Sequence, residues 1–186
     1  MVGRDDSLAS AEEAVRAAAA GEARIVVVAG EAGVGKTRLV REAIARSGLT
    51  AFAGASPATV APPYEPVSQI LRAAVRRTPG LPAACGPYQP YLAALLPELG
   101  PSAADVTVGT LVEALRRAFA AAAGDGPVVI VFDDLHWASE AMQLLLPQLA
   151  DALRELPLLL VMLARDEVPD DTHRLRILRA QLRRIC

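Results

Sequence analysis

The chain has 186 residues, of which 53% are hydrophobic and 22% are charged. This composition is typical of a folded domain with an ordinary core, and it excludes an intrinsically disordered chain. The formal net charge of −2 excludes the overall basic surface that nucleic-acid binding requires.

Cysteine content and hydropathy indicate where the protein functions. Its two cysteines, Cys85 and Cys186, have no metal-type spacing and predict no disulfide framework. The longest apolar run, residues 156–164, is shorter than the roughly 20 residues that cross a bilayer. The N-terminus has no signal-peptide pattern. The sequence therefore predicts a cytoplasmic protein without membrane contact.

Helix and strand patterns alternate from the N-terminus. Residues 7–20 are rich in alanine, and Ser7 is a candidate N-cap, so we expect a helix there. The β-branched run at residues 24–29 is typical of a strand buried on both faces of a parallel sheet. Three further elements follow: a turn at 30–35, a helix at 36–45 and a short strand at 50–55.

Residues 57–101 differ in composition from the rest of the chain. Ten of the 14 prolines fall in this segment, and they forbid long regular elements. Between them, the pattern leaves room for helices at 67–77 and 91–96. Because three tyrosines and several leucines are available for packing, we interpret the segment as a proline-rich helical insertion with many loops. We expect it to pack at the edge of the sheet rather than form a separate domain.

The second half of the chain repeats the alternation. Leu111, Leu115 and Phe119 recur at helical spacing and predict an amphipathic helix at 106–123. Four further elements are predicted: a strand at 128–132, a helix at 140–154 kinked or broken at Pro147, a strand at 158–164 and a helix at 172–184. The whole pattern predicts an α/β fold of three layers, with a mostly parallel central sheet and helices on both faces.

A phosphate-binding pattern lies between the first strand and the second helix. It reads Gly30-Glu31-Ala32-Gly33-Val34-Gly35-Lys36-Thr37 and matches the full P-loop pattern. We call residues 30–37 the phosphate loop. Its glycines permit positive φ, so that successive N–H groups can surround an anion at the start of the helix. Lys36 is the only lysine, against 18 arginines in the chain.

This loop predicts ATP or ADP with Mg²⁺ as the ligand. Lys36 is expected to reach the β- and γ-phosphates, and the Thr37 hydroxyl is expected to ligate Mg²⁺. Arg38, which follows the loop, is included among the nucleotide-binding residues. Guanine is disfavoured because its usual recognition pattern needs asparagine, which the chain lacks.

An acidic pair ends the apolar strand at 128–132. Asp133 is expected to hold Mg²⁺ through water, and Asp134 to orient or deprotonate the attacking water. Because aspartate is shorter than the glutamate usual in fast ATPases, we expect slow hydrolysis. Arg165 follows the last strand and would either sense the γ-phosphate or be an exposed strand-end arginine. His136 and Trp137 are interpreted mainly as packing residues.

Four segments resemble the AAA-like ATPase domain of the STAND class, as in large ATP-binding LuxR-type transcriptional regulators. These are VGRD at 2–5, the phosphate loop, VVIVFDDLHWAS at 128–139 and LLLVMLARDE at 158–167. The resemblance implies that Val2, Gly3 and Arg4 lie near the adenine and that Arg165 is a sensor arginine. It also implies a switch between a closed ADP state and an open, self-associating ATP state. The chain departs from the family pattern at Ser139, where aspartate is usual, and at Ser7, where glutamate is frequent.

The leading hypothesis is slow ATP hydrolysis that acts as a conformational switch. Residues 1–186 would form a single ATPase domain without direct nucleic-acid contact from this segment. We expect either a domain excised from a longer regulator, whose other domains are its partners, or a short stand-alone relative. One alternative is a small-molecule or nucleotide kinase, with a lid formed by Arg72, Arg76 and Arg77. Another is a nucleotide-binding scaffold that does not hydrolyse ATP.

Overall fold

The computed structural model describes residues 4–165, and for residues 4–11 only the backbone. The elements are α1 (Arg4–Ala19), β1 (Arg24–Gly30), α2 (Lys36–Ser47), β2 (Thr50–Ala55), α3 (Glu65–Arg77), α4 (Leu81–Ala84), α5 (Gln89–Ala93), α6 (Val108–Ala122), β3 (Val128–Asp133), α7 (Glu140–Ala152) and β4 (Leu158–Arg165). Single 3₁₀ turns lie at Gly86–Tyr88, Pro97–Leu99 and Leu135–Trp137. The helix predicted at 172–184 lies outside the described residues.

The four described strands form one parallel sheet in the order β1-β4-β3-β2. The two central strands are buried along almost their whole length, and their side chains alternate between two apolar cores. Ile130 and Phe132 contribute to one core, while Val129 and Val131 contribute to the other. This alternation follows from the two-residue period of a strand. The predicted α/β fold with helices on both faces is confirmed.

The two cores differ in size and position. The larger core lies under α3, α6 and α7 and includes the fully buried rings of Phe119 and Phe132. The smaller core lies under α1 and α2 and includes Val15, Val40 and Ile44. Together the two cores cover both faces of β3 and β4 and hold these strands in place. Within residues 4–165, no helix combines the length and hydropathy needed to cross a membrane.

Strand β1 is less buried than its sequence predicts. Residues 25–28 are only half-buried, although the run is continuously apolar. Among the described strands, β1 pairs with β4 alone and forms an edge of the sheet. Ile25 and Val27 nevertheless pack against the larger core and Val26 and Val28 against the smaller one, so β1 contacts both cores as predicted, although its burial is incomplete.

The proline-rich segment is more helical than its composition predicts. Helix α3 begins at Glu65 rather than 67 because Pro66 fits the first helical turn. It packs on the edge strand β2, where the Gln69 side-chain oxygen accepts a hydrogen bond from the Ala55 N–H at 3.1 Å. The short helices α4 and α5 pack instead on α6. Helix α5 begins at Gln89 and ends at Ala93, earlier than predicted at both ends.

Two predictions about the helices need correction: the N-cap of α1 is wrong, and of the two alternatives at Pro147, a kink or a break, the break is wrong. Helix α1 begins at Arg4, so Ser7 lies inside the helix and is not its N-cap. Helix α7 is not broken at Pro147 and runs from Glu140 to Ala152. The fully buried Leu145 and Leu146 precede the proline, and Leu149 follows it in the same core. Their burial offsets the loss of one backbone hydrogen bond.

Ser139 has a structural role at the start of α7. Its hydroxyl oxygen accepts a hydrogen bond from the Met142 N–H at 3.1 Å, which makes Ser139 the N-cap. The same hydroxyl donates to the Pro63 carbonyl oxygen at 2.5 Å. An ionised aspartate could cap the helix but could not donate this second bond. Serine thus ties α7 to the proline-rich segment.

The close approach of β2 to α3 gives a test of the fold. A Cβ at Gly54 would overlap the Pro66 carbonyl oxygen and lie 2.8 Å from the carbonyl carbon. We expect Gly54→Ala to lower the free energy of unfolding by about 1–3 kcal/mol, because backbone must move. The control is Gly80→Ala, where a Cβ meets nothing within 4 Å and φ is −77°. Urea denaturation measures both; equal midpoints would contradict the close approach.

Candidate functional site

The four described strands end at the same edge of the sheet, and a cavity of about 770 Å³ opens beside the ends of three of them. Strand β1 ends at Gly30, β3 at Asp133 and β4 at Arg165. The carboxyl edge of a parallel sheet is where α/β proteins bind ligands. The cavity is lined by Gly33, Gly35, Lys36, Thr37, Arg38, Arg41, Glu42, Asp133, Asp134, Leu163, Ala164 and Arg165.

The phosphate loop joins β1 to α2 and has the backbone of an anion site. Gly33 has a φ of 75° and Gly35 a φ of 87°, in the left-handed region that glycine favours. Gly35 immediately precedes α2, and no side chain caps this helix end. No acidic residue lies in the first turn. The first N–H groups of α2 are therefore available to an anion at the positive end of the helix dipole.

Gly30 differs from the other two glycines. It is the last residue of β1 and does not have positive φ. A Cβ there would lie 3.7 Å from the Lys36 Cδ and Val34 Cγ2 atoms, which is ordinary van der Waals contact. The freedom to adopt positive φ is therefore used at Gly33 and Gly35 but not at Gly30, because that residue continues the extended strand.

The Lys36 side chain folds back over the loop. Its Nζ donates hydrogen bonds of 2.8 Å to the carbonyl oxygens of Gly30 and Glu31. Within the described part of the chain, these bonds use two of the three ammonium hydrogens and leave one for an anion. Ala32 and Val34 are exposed on the same loop. The loop thus holds its positive charge at the cavity wall before any anion is bound.

A hydrogen bond connects the phosphate loop to the acidic strand end. The Thr37 hydroxyl donates to Asp133 Oδ2 at 2.8 Å, across 96 residues of sequence. Asp133 Oδ1 accepts from the Asp134 N–H, also at 2.8 Å. A hydroxyl and a carboxylate side by side are the hard oxygen donors that Mg²⁺ prefers, and Mg²⁺ needs few protein ligands when phosphates and waters supply the rest. The residues present therefore fit the metal predicted from the sequence.

Asp134 has an unusual backbone conformation. With a φ of 52°, it is the one non-glycine residue with positive φ among those that the structure describes. Aspartate tolerates this region better than most residues, and its N–H bond to Asp133 stabilises the conformation. Local backbone strain of this kind is common at functional sites. The Asp134 side chain is 49% exposed and lines the cavity.

His136 and Trp137 follow in the 3₁₀ turn. His136 is buried, and neither ring nitrogen has a hydrogen-bond partner. Its Nδ1 lies 3.8 Å from Asp134 Oδ1, too far for a hydrogen bond. Burial lowers the pKa of His136, with the positive charges of Arg165 and Lys36 acting in the same direction. Trp137 was expected to pack; its ring lies beside that of His136 but remains 46% exposed.

Some of the remaining predicted residues lie at the cavity, and the others lie, in whole or in their side chains, outside the described part of the chain. Arg165 pairs in register with Gly30 across β4 and β1 and lines the cavity, as does Arg38. Val2 and Gly3 lie outside the described residues, as does the Arg4 side chain. Arg41 and Glu42, which were not predicted from the sequence, also line the cavity. The signal was available for Arg41, because it follows Thr37 by four residues and so shares its face of α2.

These observations define a class of protein. A glycine loop between a strand and a helix, beside an acidic strand end on a parallel sheet, is the arrangement of a P-loop nucleoside triphosphatase. The family model of the AAA ATPase domain matches residues 1–161, so the chain belongs to this family. Comparison with curated proteins found no match. The family supports nucleotide binding and hydrolysis.

The glycines of the loop provide a matched pair of variants. Gly35→Ala forces a Cβ into the left-handed region, which costs about 1–2 kcal/mol, and should shift the first turn of α2. Gly30→Ala adds a Cβ at ordinary contact distance and should change stability little. Urea denaturation of the two variants measures the difference. Equal losses of stability would contradict the loop conformation described here.

Proposed function

We propose that this domain binds Mg²⁺-ATP in the cavity, hydrolyses it slowly and acts as a nucleotide-dependent switch in a transcriptional regulator. The observation that carries the proposal is the Thr37–Asp133 hydrogen bond. It joins a phosphate loop to an acidic strand end, and these are the two parts that an ATPase needs for phosphate and metal. Membership of the AAA ATPase family supports the same reading.

The cavity suits a nucleoside triphosphate in size and charge. Its volume of about 770 Å³ lies within the usual range of ligand sites. Lys36 and the start of α2 supply positive charge for the phosphates, and Arg38 and Arg41 line the same wall. The absence of asparagine from the chain removes the usual guanine-recognition pattern and favours ATP. Val2, Gly3 and Arg4 are proposed to lie near the adenine, on the resemblance alone.

Thr37 and Asp133 are the residues that would hold Mg²⁺. The ion would neutralise charge on the β- and γ-phosphates and orient them for attack. Thr37 would bind it through its hydroxyl, which then donates to Asp133 or to water. Asp133 would act through water, because its Oδ1 already accepts from the Asp134 N–H.

Asp134 is proposed to act on the attacking water. Its half-exposed carboxylate lines the cavity and can accept a hydrogen bond or a proton from water. Arg165 lines the same cavity and is proposed to stabilise charge at the γ-phosphate. We expect hydrolysis to be slow, because an aspartate reaches less far than a glutamate from the same backbone position.

The regulatory part of the proposal rests on the resemblance to STAND-class regulators. The segments at 2–5 and 128–139 carry that resemblance. In this interpretation ADP holds a closed state and ATP an open state that self-associates, with the other domains of a longer regulator as partners. A change in bound phosphate can bias such a switch only through contacts that differ between the two states.

Removing the lysine tests the binding site. We expect Lys36→Ala to weaken ATP binding by at least 10-fold, because a charge-assisted contact to phosphate is lost. Arg46→Ala is the matched control, since it removes one positive charge from the far end of the same helix, where Arg46 pairs with Glu12 and Glu42. Isothermal titration calorimetry measures both variants. Wild-type affinity in Lys36→Ala would rule out the assigned site.

Replacing the second aspartate tests hydrolysis separately from binding. Asp134→Asn keeps the shape and removes the carboxylate, so we expect ATP turnover to fall about 10²-fold while ATP affinity stays close to wild type. The measurement is the rate of phosphate release from ATP by the wild type and by Asp134→Asn, without an added phosphate acceptor. Measurable turnover that is unchanged in Asp134→Asn would rule out the assigned role of Asp134. No phosphate release from the wild type would favour the non-hydrolysing scaffold, and ATP consumption that requires an added acceptor would favour the kinase.

A further inference from the structure

We propose that His136 is a positioning residue, which holds the Asp134 carboxylate through a hydrogen bond from its Nδ1–H. This inference rests on the proposed function, in which Asp134 acts on the attacking water. If the His136 Nδ1–H donates to Asp134 Oδ1, then Asp134 Oδ2 is left to face that water. His136 itself does not line the cavity, so its effect on the reaction passes through Asp134.

The first observation is an unsatisfied buried imidazole. His136 is only 5% exposed, and neither Nδ1 nor Nε2 has a hydrogen-bond partner. Burying a polar group without a partner costs free energy, so such groups in folded proteins need an explanation. A purely packing role would be filled better by an apolar side chain such as leucine. The two buried ring nitrogens therefore indicate a use for their hydrogen-bonding capacity.

The second observation is the position of the neighbouring carboxylate. Asp134 Oδ1 lies 3.8 Å from His136 Nδ1, so an approach of about 1 Å would form a hydrogen bond. The Asp134 side chain is 49% exposed and has room to rotate. The backbone between them is held by the 3₁₀ turn, in which the Trp137 N–H donates to the Asp134 carbonyl at 2.9 Å. Only the aspartate side chain has to move.

The third observation concerns the charge of the ring. Burial lowers the pKa of His136, and the positive charges of Arg165 and Lys36 lower it further. The negative charges of Asp134 and Asp133 act in the opposite direction but are smaller than the burial effect. A neutral imidazole has one N–H, which it can donate without cancelling the charge of the carboxylate. It would orient Asp134 and leave it able to accept a proton.

Three substitutions of His136 in the full chain test the proposal. His136→Asn places an amide N–H close to the position of Nδ1, His136→Gln places one near Nε2, and His136→Leu removes both. We expect the Gln and Leu variants to lower kcat about 10-fold, since misplacement of a reacting group by 1 Å is costly, while the Asn variant stays within about threefold of wild type. KM and the Kd for ATP should change little in all three. Thermal melting separates loss of folding from loss of turnover.

Wild-type kcat in the Leu variant, or equal losses of kcat in the Asn and Leu variants, would overturn the proposal. A double-mutant cycle adds a second criterion. In an Asp134→Asn background, His136→Leu should have no further effect on kcat, because the bond between the two side chains is already altered. Additive losses of kcat would show that His136 acts independently of Asp134.

A spectroscopic measurement does not depend on turnover. The ¹⁵N shifts of labelled histidine should identify His136 as the Nδ1–H tautomer, and Asp134→Asn should move its signals. The only other histidine in the sequence is His173. Its signals are absent from the variant His173→Gln, so the signals that remain belong to His136. An Nε2–H tautomer would overturn the inference even in an active enzyme. ATP binding without turnover, combined with the Nδ1–H tautomer, would instead contradict the proposed hydrolysis and leave the hydrogen bond established.

Discussion

The hydrogen bond from Thr37 to Asp133 is the constraint on which the rest of the site depends. It forms because β1 and β3 run parallel and end at the same edge, so that the residues following each strand meet there. Thr37 belongs to the first turn of α2, which also directs its unpaired N–H groups at the cavity. One contact therefore fixes the distance between the anion-binding loop and the carboxylates.

The two cores determine how firmly each side of the site is held. Strands β3 and β4 are buried between helices on both faces, so Asp133 and Arg165 project from the most rigid part of the sheet. The phosphate loop follows β1, which is half-buried and is an edge strand among the described ones. Local stability is lower where fewer apolar contacts are made. The acidic side of the site is therefore held by two almost fully buried strands, whereas the strand that precedes the phosphate loop is half-buried.

Much of this arrangement could be predicted from the sequence, because it depends on local patterns. Apolar runs predicted β1, β3 and β4 among the described strands, and the loop pattern with its single lysine predicted the anion site. Features that depend on tertiary contacts were not predictable in this way. The uninterrupted helix at Pro147 depends on the buried leucines around it. The position of Glu42 at the cavity likewise follows from packing rather than from periodicity, whereas the packing role of His136 was predicted and its burial agrees with it.

The most direct test of the central claim is the effect of Mg²⁺ on ATP affinity in wild type and in Thr37→Val. Valine has nearly the shape of threonine but lacks the hydroxyl that bonds to Asp133. Calorimetric titrations with Mg²⁺ and with a chelator measure the gain due to the ion in each protein. The account predicts tighter binding with Mg²⁺ in wild type and loss of most of that gain in Thr37→Val. An equal gain in both proteins would contradict it.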